Sequence, residues 1–163
     1  MQSALLCLEA GTGQVKTMVG GRNFRESQFN RAIQSRRQPG SAFKPVIYTA
    51  ALKKGYTPAS VIIDSAVVYD DAERDFKWKP DNFEKKFHGP TLLRDALAHS
   101  RNIISIKLLM DIGVGYTIEW ARKLGITSPL SQDLSIALGS SGVSPLELAT
   151  VYSVFANEGN LIT

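Results

Sequence analysis

Five stretches of this chain read as helices and only one pair reads as strands, an imbalance that limits the fold more than any other feature. In the first helix, Phe43, Val46, Ile47, Ala50 and Ala51 fall at i, i+3, i+4, i+7 and i+8, one face of a 3.6-residue repeat. Pro39-Gly40 halts the chain before it, and Gly55 closes a helix expected from about Ser41 to Lys54. Pro45 is tolerated there because N–H groups of a first turn have no partner within the helix. "TLLRDALAHS" follows, with Thr91 as its expected cap. After a break at "SRN" come "IISIKLLMDIG" and "TIEWARKLG", the latter stopped by Gly125. The last, "SPLELATVYSVFANEG", has Ser144 as N-cap, Pro145 at the first helical position, Glu147 at the third and Gly159 past the end. That is a capping box.

"ALLCLEAGTGQVKTMVGG" contains the strand pair, about Ala4 to Glu9 and Gln14 to Val19, joined by a glycine-containing turn. Residues 22–38 read mainly as loop and residues 56–90 as irregular. Cys7 is the single cysteine, so no internal disulfide forms; in "ALLCLE" it is expected to be a small buried hydrophobe. Tyr48, Trp78 and Asn82 read as packing or cleft-wall residues.

The bulk numbers exclude several classes of function. No apolar run reaches the ~18 residues of a membrane span or has the form of a signal peptide. Lys and Arg total 19 against 15 Asp and Glu, a formal charge of +4. The basic residues are dispersed, with Arg36-Arg37, Lys53-Lys54 and Lys85-Lys86 as isolated pairs, which argues against nucleic acid. Weak attraction to substrate carboxylates is compatible with that distribution. His88 and His99 lack ligand spacing and companion cysteines, so neither a metal nor another cofactor is expected.

Ser41 and Lys44 lie one turn apart at the entrance to the first helix. A serine hydroxyl is a poor nucleophile until a base takes its proton. A lysine three residues on projects from the same face, and burial favours the neutral amine that can act as that base. The Ser41 amide, at a helix N-terminus, is suited to one side of an oxyanion hole. On spacing alone, Ser-x-x-Lys is more often a solvated helix face than a working site. A second group, Ser100 and Asn102, sits at the "SRN" break: a hydroxyl there can relay a proton, and an asparagine amide can hold a substrate backbone. The plain alternative is an interhelical loop. His99 is set aside as a partner for Ser100, because adjacent helical residues point about 100° apart.

Ser-x-x-Lys followed by Ser-x-Asn forms two-thirds of the signature of penicillin-binding proteins and serine β-lactamases. The surrounding text, "FNRA", "RQPGSAFKP", "GYTPAS", "WKPDNF", "GPTLLRDALAHSRN" and "SPLELATVYSVFANEGN", resembles the transpeptidase domain of class A penicillin-binding proteins over essentially the whole chain. The resemblance implies an α+β transpeptidase fold in one domain over residues 1–163, and a serine acyl-transferase of peptidoglycan synthesis. Its implied partners are stem peptides ending in D-Ala-D-Ala and the β-lactams that mimic them. It implies Ser41 as nucleophile, Lys44 as base, Ser100 as proton shuttle and Asn102 as a substrate-binding side chain. It also implies work in the bacterial cell envelope, on the extracytoplasmic side of the inner membrane, in a membrane-anchored parent protein.

The family's third motif, Lys-Thr/Ser-Gly, does not occur after Ser41; "KTM" at Lys16 to Met18 precedes the serine and has methionine where glycine is needed. The fold is therefore expected to be incomplete, a mostly helical lobe with an N-terminal hairpin, and activity of this chain alone to be low. Two alternatives accompany this reading. One is a non-catalytic module that forms a homodimer through its exposed strand edge; the other is a serine β-lactamase.

Overall fold

The computed structural model describes residues 1–71 and 76–162. In chain order the elements are β1 (Leu5–Leu8), β2 (Val15–Val19), α1 (Lys44–Lys53), β3 (Val61–Asp64), β4 (Tyr69–Asp71), β5 (Phe76–Trp78) and β6 (Gly89–Leu92). They continue with α2 (Leu93–Ala98), α3 (Asn102–Ile112), α4 (Val114–Lys123) and α5 (Pro145–Ala156). Short 3₁₀ turns span Gly40–Phe43 and Leu134–Leu138. The strands form three two-stranded antiparallel sheets among the described residues: β1 with β2, β3 with β6, and β4 with β5.

The chain divides into two compact units. One comprises Gly40–Thr117 and Gln132–Leu138. Its centre is α3, which packs against α1, α2, β3 and the 3₁₀ turn at Leu134–Leu138. Ile103, Ile104, Ile106, Leu108 and Leu109 are all fully buried, as befits a helix that is apolar nearly all round. Phe43, Val46, Ile47, Ala50 and Ala51 of the first helical segment are buried as their spacing predicts. Lys44 and Tyr48 are buried as well.

Residues 56–90 are not irregular as expected: they contain β3, β4, β5 and the start of β6. Strands of three or four residues are too short to show alternation, and β6 pairs with β3 from far along the chain. Thr91 does not cap α2. It lies inside β6, where its hydroxyl donates to the Gly89 carbonyl at 3.0 Å. The first N–H groups of α2 are satisfied from elsewhere, Leu93 N–H by the Ser60 carbonyl and Arg94 N–H by that of Pro58. Backbone carbonyls can replace a side-chain cap, and no sequence pattern announces them.

The other unit comprises Met1–Pro39, Ile118–Ser131 and the segment from Gly139 onward. Its hairpin has β1 and β2 where strand spacing predicts, with a register irregularity between Cys7 and Leu8. Leu6 and Leu8 are half-buried while Leu5 and Cys7 face solvent, so Cys7 is exposed and not the buried hydrophobe expected. One-sided burial explains this: α5 packs against β1, and alternate residues of a strand point to opposite faces.

At the head of α5 the capping box is present in full. Ser144 Oγ accepts the Glu147 N–H at 3.1 Å, and Glu147 Oε2 accepts the Ser144 N–H at 2.7 Å. Glu147 also receives Thr127 N–H and Oγ1–H, and Ser128 N–H and Oγ–H, at 2.7–3.0 Å. Burial alone would raise its pKa, but these donors from Ser144, Ser128 and Thr127 outweigh it and hold the carboxyl down at about 2. Gly125 stops the preceding helix at φ +101°, where a Cβ would also stand 2.8 Å from the Thr150 methyl.

Candidate active site

Ser100 occupies a left-handed backbone conformation, φ +54°, between α2 and α3. Its N–H donates to the Leu97 carbonyl at 3.0 Å and the next N–H, of Arg101, reaches back to Ala96 at 2.8 Å. This is a Schellman closure with serine where glycine is usual. A non-glycine residue there costs roughly 1–2 kcal/mol, and the result is that α2 ends with both the carbonyl and the hydroxyl of Ser100 turned toward Lys44.

Lys44 opens α1 after the 3₁₀ turn that carries Ser41. It is only 1% exposed. Its Nζ donates to Ser100 O at 2.6 Å, to Ser100 Oγ at 2.9 Å and to Asn102 Oδ1 at 2.7 Å. An ammonium has three hydrogens, so these three acceptors fully occupy its charged form. Burial pushes the Lys44 pKa down to about 8, so about one molecule in ten carries the neutral amine at pH 7.

Asn102 is held from both ends. Besides accepting from Lys44, its Nδ2 donates to the Asp81 carbonyl at 3.1 Å. Its backbone N–H and that of Ile103 donate to Asn82 Oδ1 at 2.9 and 3.2 Å. Asn82 thus caps α3 from a distant loop, supplying the acceptor that the local N-cap residue, Arg101, does not. Asn82 is itself fastened: its Nδ2 lies 2.9 Å from both Asp64 carboxylate oxygens and from the Lys86 carbonyl. Asp64 is completely buried and also accepts the His88 N–H at 3.2 Å. A buried carboxylate is tolerated only when its oxygens are satisfied in this way.

Asn82, Ser100 and Asn102 line a cleft of about 280 Å³ together with Ser41, Phe83, Glu84, His99 and Arg101. Ser41 is exposed to solvent within it. Arg101 donates to Glu84 at 2.9 Å, and the His88 ring stands 3.5 Å from the same carboxylate. The Arg101 hydrogen bond and charge hold the Glu84 carboxyl below its usual range. The His99 ring hydrogen-bonds the Asp95 carbonyl at 2.9 Å.

Lys44, Ser100 and Asn102, picked out by motif spacing, are in direct contact, and Ser41 shares their cleft. One detail differs from expectation: the three donations of Lys44 go to Ser100 and Asn102, not to Ser41. Asp64, Asp81, Glu84 and Arg101 carry no role in the sequence reading, and Asn82 enters it only as a packing or cleft-wall residue. A polar Asp-Asn pair inside "WKPDNF" is the one signal that marks the Asn82 anchor. Asp64 is announced by nothing but a charge at the end of an apolar run.

The penicillin binding protein transpeptidase domain family matches residues 4–163. Penicillin-binding protein 1A of Pseudomonas aeruginosa is 45% identical over 159 residues, 97% of this chain and 19% of that protein. The protein of the same name from Neisseria meningitidis is also 45% identical, over 161 residues, 98% of this chain and 20% of its own. This chain therefore spans about a fifth of the length of the curated relatives it matches. The crystal structure of penicillin-binding protein 1A from Haemophilus influenzae superposes with a TM-score of 0.93 at 38% identity, covering 99% of this chain and 24% of that one. With the α+β arrangement, with Ser41, Ser100 and Asn102 lining one cleft and with Lys44 bonded to the last two, the chain belongs to the penicillin-binding protein transpeptidase domain family.

Proposed function

We propose that this chain carries the acyl-transfer site of a class A penicillin-binding protein, with residues 1–163 forming part of one transpeptidase domain. The observation that carries the reading is the contact of the buried Lys44 Nζ with Ser100 Oγ and Asn102 Oδ1, beside the exposed Ser41 in one cleft.

In this reading a neutral Lys44 amine accepts the Ser41 proton as Ser41 Oγ attacks the carbonyl of the penultimate D-alanine of a stem peptide. The Ser41 N–H, in the first turn, faces the developing oxyanion. The proton passes from Lys44 through the Ser100 hydroxyl to the leaving D-alanine nitrogen as the peptide bond breaks. The acyl-enzyme then transfers to the amine of a neighbouring stem peptide. A β-lactam enters by the same attack, its ring C–N bond breaking in place of the peptide bond. Asn102 spends one side-chain N–H on Asp81, and its second is the donor assigned to the substrate backbone. The work belongs to the bacterial cell envelope, on the extracytoplasmic side of the inner membrane.

The test is D-alanine release from a D-Ala-D-Ala pentapeptide with an amine acceptor present. Release and amide formation that stop in Ser41→Ala support the reading; release that persists in Ser41→Ala contradicts it. Rapid turnover of a chromogenic cephalosporin would favour a β-lactamase instead. A second reading, self-association, rests on the hairpin: Leu5, Val15, Met18 and Val19 are exposed on a two-stranded sheet, and open edges recruit other chains. Sedimentation over a concentration series reads it directly, a constant monomer mass contradicting it.

A further inference from the structure

His99 lines the cleft that holds Ser41 and is open to solvent. It follows the last residue of α2, and its ring Nδ1 stands 2.9 Å from the Asp95 carbonyl. A carbonyl oxygen only accepts, so Nδ1 carries the proton. A neutral imidazole has one N–H, which leaves Nε2 with a free lone pair. The other side-chain acceptors lining the cleft are nearly all engaged. Asn102 Oδ1 and Ser100 Oγ accept from Lys44. Asn82 Oδ1 accepts two N–H groups at the head of α3, and Glu84 Oε2 accepts from Arg101. Apart from the Ser41 hydroxyl, two acceptors remain among the described lining residues: His99 Nε2 and Glu84 Oε1. The Arg101 hydrogen bond and charge hold the Glu84 carboxyl below its usual range, and a carboxylate is a weaker base than an imidazole to begin with.

Transfer of the acyl group to an amine calls for such a base. The acceptor arrives from neutral water as an ammonium and sheds two protons on becoming an amide N–H. One proton returns to Ser41 Oγ through Ser100 and Lys44, as the new C–N bond forms and the ester C–O bond breaks. The other has to leave first, because an ammonium has no lone pair with which to attack. We infer that His99 Nε2 is the general base that takes this first proton from the acceptor ammonium and releases it to solvent. The inference rests on the acyl-transfer reading above and adds a catalytic residue for its second half. The charged groups that share the cleft are Glu84 and Arg101, paired at 2.9 Å, with the His88 ring 3.5 Å from the same carboxylate. On α2 itself they are Arg94 and Asp95, 3.8 Å apart.

The test starts from an acyl-enzyme already formed with an N-acyl-D-alanyl thioester, so that losses in acylation do not enter. At pH 7 it is offered two acceptors at once: a stem tripeptide with a side-chain amine, which is an ammonium there, and hydroxylamine, which is mostly neutral. The ratio of tripeptide amide to hydroxamate is read. His99→Asn keeps a donor for the Asp95 carbonyl and removes Nε2. It is expected to lower the ratio by about 10²-fold, the lower end of a general base's contribution. Raising the pH to 10, where more of the tripeptide amine is already neutral, is expected to close most of that gap, which a folding defect would not do. An unchanged ratio, a gap that persists at pH 10, or no tripeptide amide from the parent chain overturns the proposal. ¹⁵N NMR of the unmodified chain tests it without turnover: a His99 ring protonated on Nδ1 is expected, and one protonated on Nε2 alone overturns it. Failure of the acyl-transfer reading shows separately, as the absence of an acyl group on Ser41.

Discussion

The Asn102 backbone N–H donates to the Asn82 side-chain carbonyl at 2.9 Å, so a loop residue remote in sequence sets where α3 begins. The Ser-x-Asn motif is held from outside itself: Asp64 holds Asn82, Asn82 holds the α3 head, and Asn102 then reaches Lys44.

Removing this anchor tests its reach. Asn82→Ala leaves the Asp64 carboxylate short of donors in a buried site and uncaps α3, and is expected to cost about 2–3 kcal/mol of stability. Acylation by a fluorescent penicillin falls with it, since Asn102 no longer holds Lys44. A urea titration and a labelling time course read the two effects. Unchanged labelling in a folded variant would separate Asn82 from the site.

The proposed mechanism takes its pH dependence from Lys44. Its neutral amine is the base in that proposal, and burial holds the pKa at about 8. The acylation rate should rise about tenfold from pH 6 to pH 7 and level off above pH 8. Lys44→Arg, charged throughout, is expected to lose about 10²–10⁴ in rate. Stability follows the same group. Between about 8 and its ordinary 10.5, the folded chain has shed a proton that the unfolded chain keeps, so stability rises with pH across that window. A denaturation series from pH 7 to pH 10 checks the sign.

At Ser100 the backbone strain and the proposed proton relay can be tested apart. Ser100→Gly and Ser100→Ala both delete the hydroxyl that accepts from Lys44, and both should lose acylation to a similar degree. Gly suits φ +54° and Ala does not, so Ser100→Gly is expected to be about 1 kcal/mol more stable than Ser100→Ala. Equal melting temperatures would show that the left-handed turn stores no strain.

Glu147 is a separate device, in the unit that does not carry these residues. Its carboxylate takes donors from Thr127, Ser128 and Ser144, and its depressed pKa makes the effect acid-labile. The contribution is present above about 4.5, the ordinary value, and is lost as pH falls toward about 2. Glu147→Gln should cost about 1.5–3 kcal/mol at pH 7 and flatten this acid limb.

The helices and the hairpin were legible because their signals are local: α5 from its capping box, α1 from the spacing of Phe43, Val46 and Ile47. Ser41, Lys44, Ser100 and Asn102 were legible as motif spacing and as a family resemblance. Asp64, Asn82 and the β3–β6 pair were not, because their roles depend on partners about 20 or more residues away. Thr91 misled for the same reason: it resembles a cap, but Pro58 and Ser60 carbonyls already serve the head of α2. Cys7 misled because an apolar run on a hairpin buries only alternate residues.

The central claim is that Ser41 is the nucleophile which Lys44, seated against Ser100 and Asn102, activates. Intact-mass measurement after incubation with a fluorescent penicillin, with the adduct mapped by peptide sequencing, tests it most directly. The account predicts one adduct per chain, located on Ser41, absent in Ser41→Ala and formed much more slowly in Lys44→Arg. An adduct on another residue, or one that forms equally in Ser41→Ala, would contradict it.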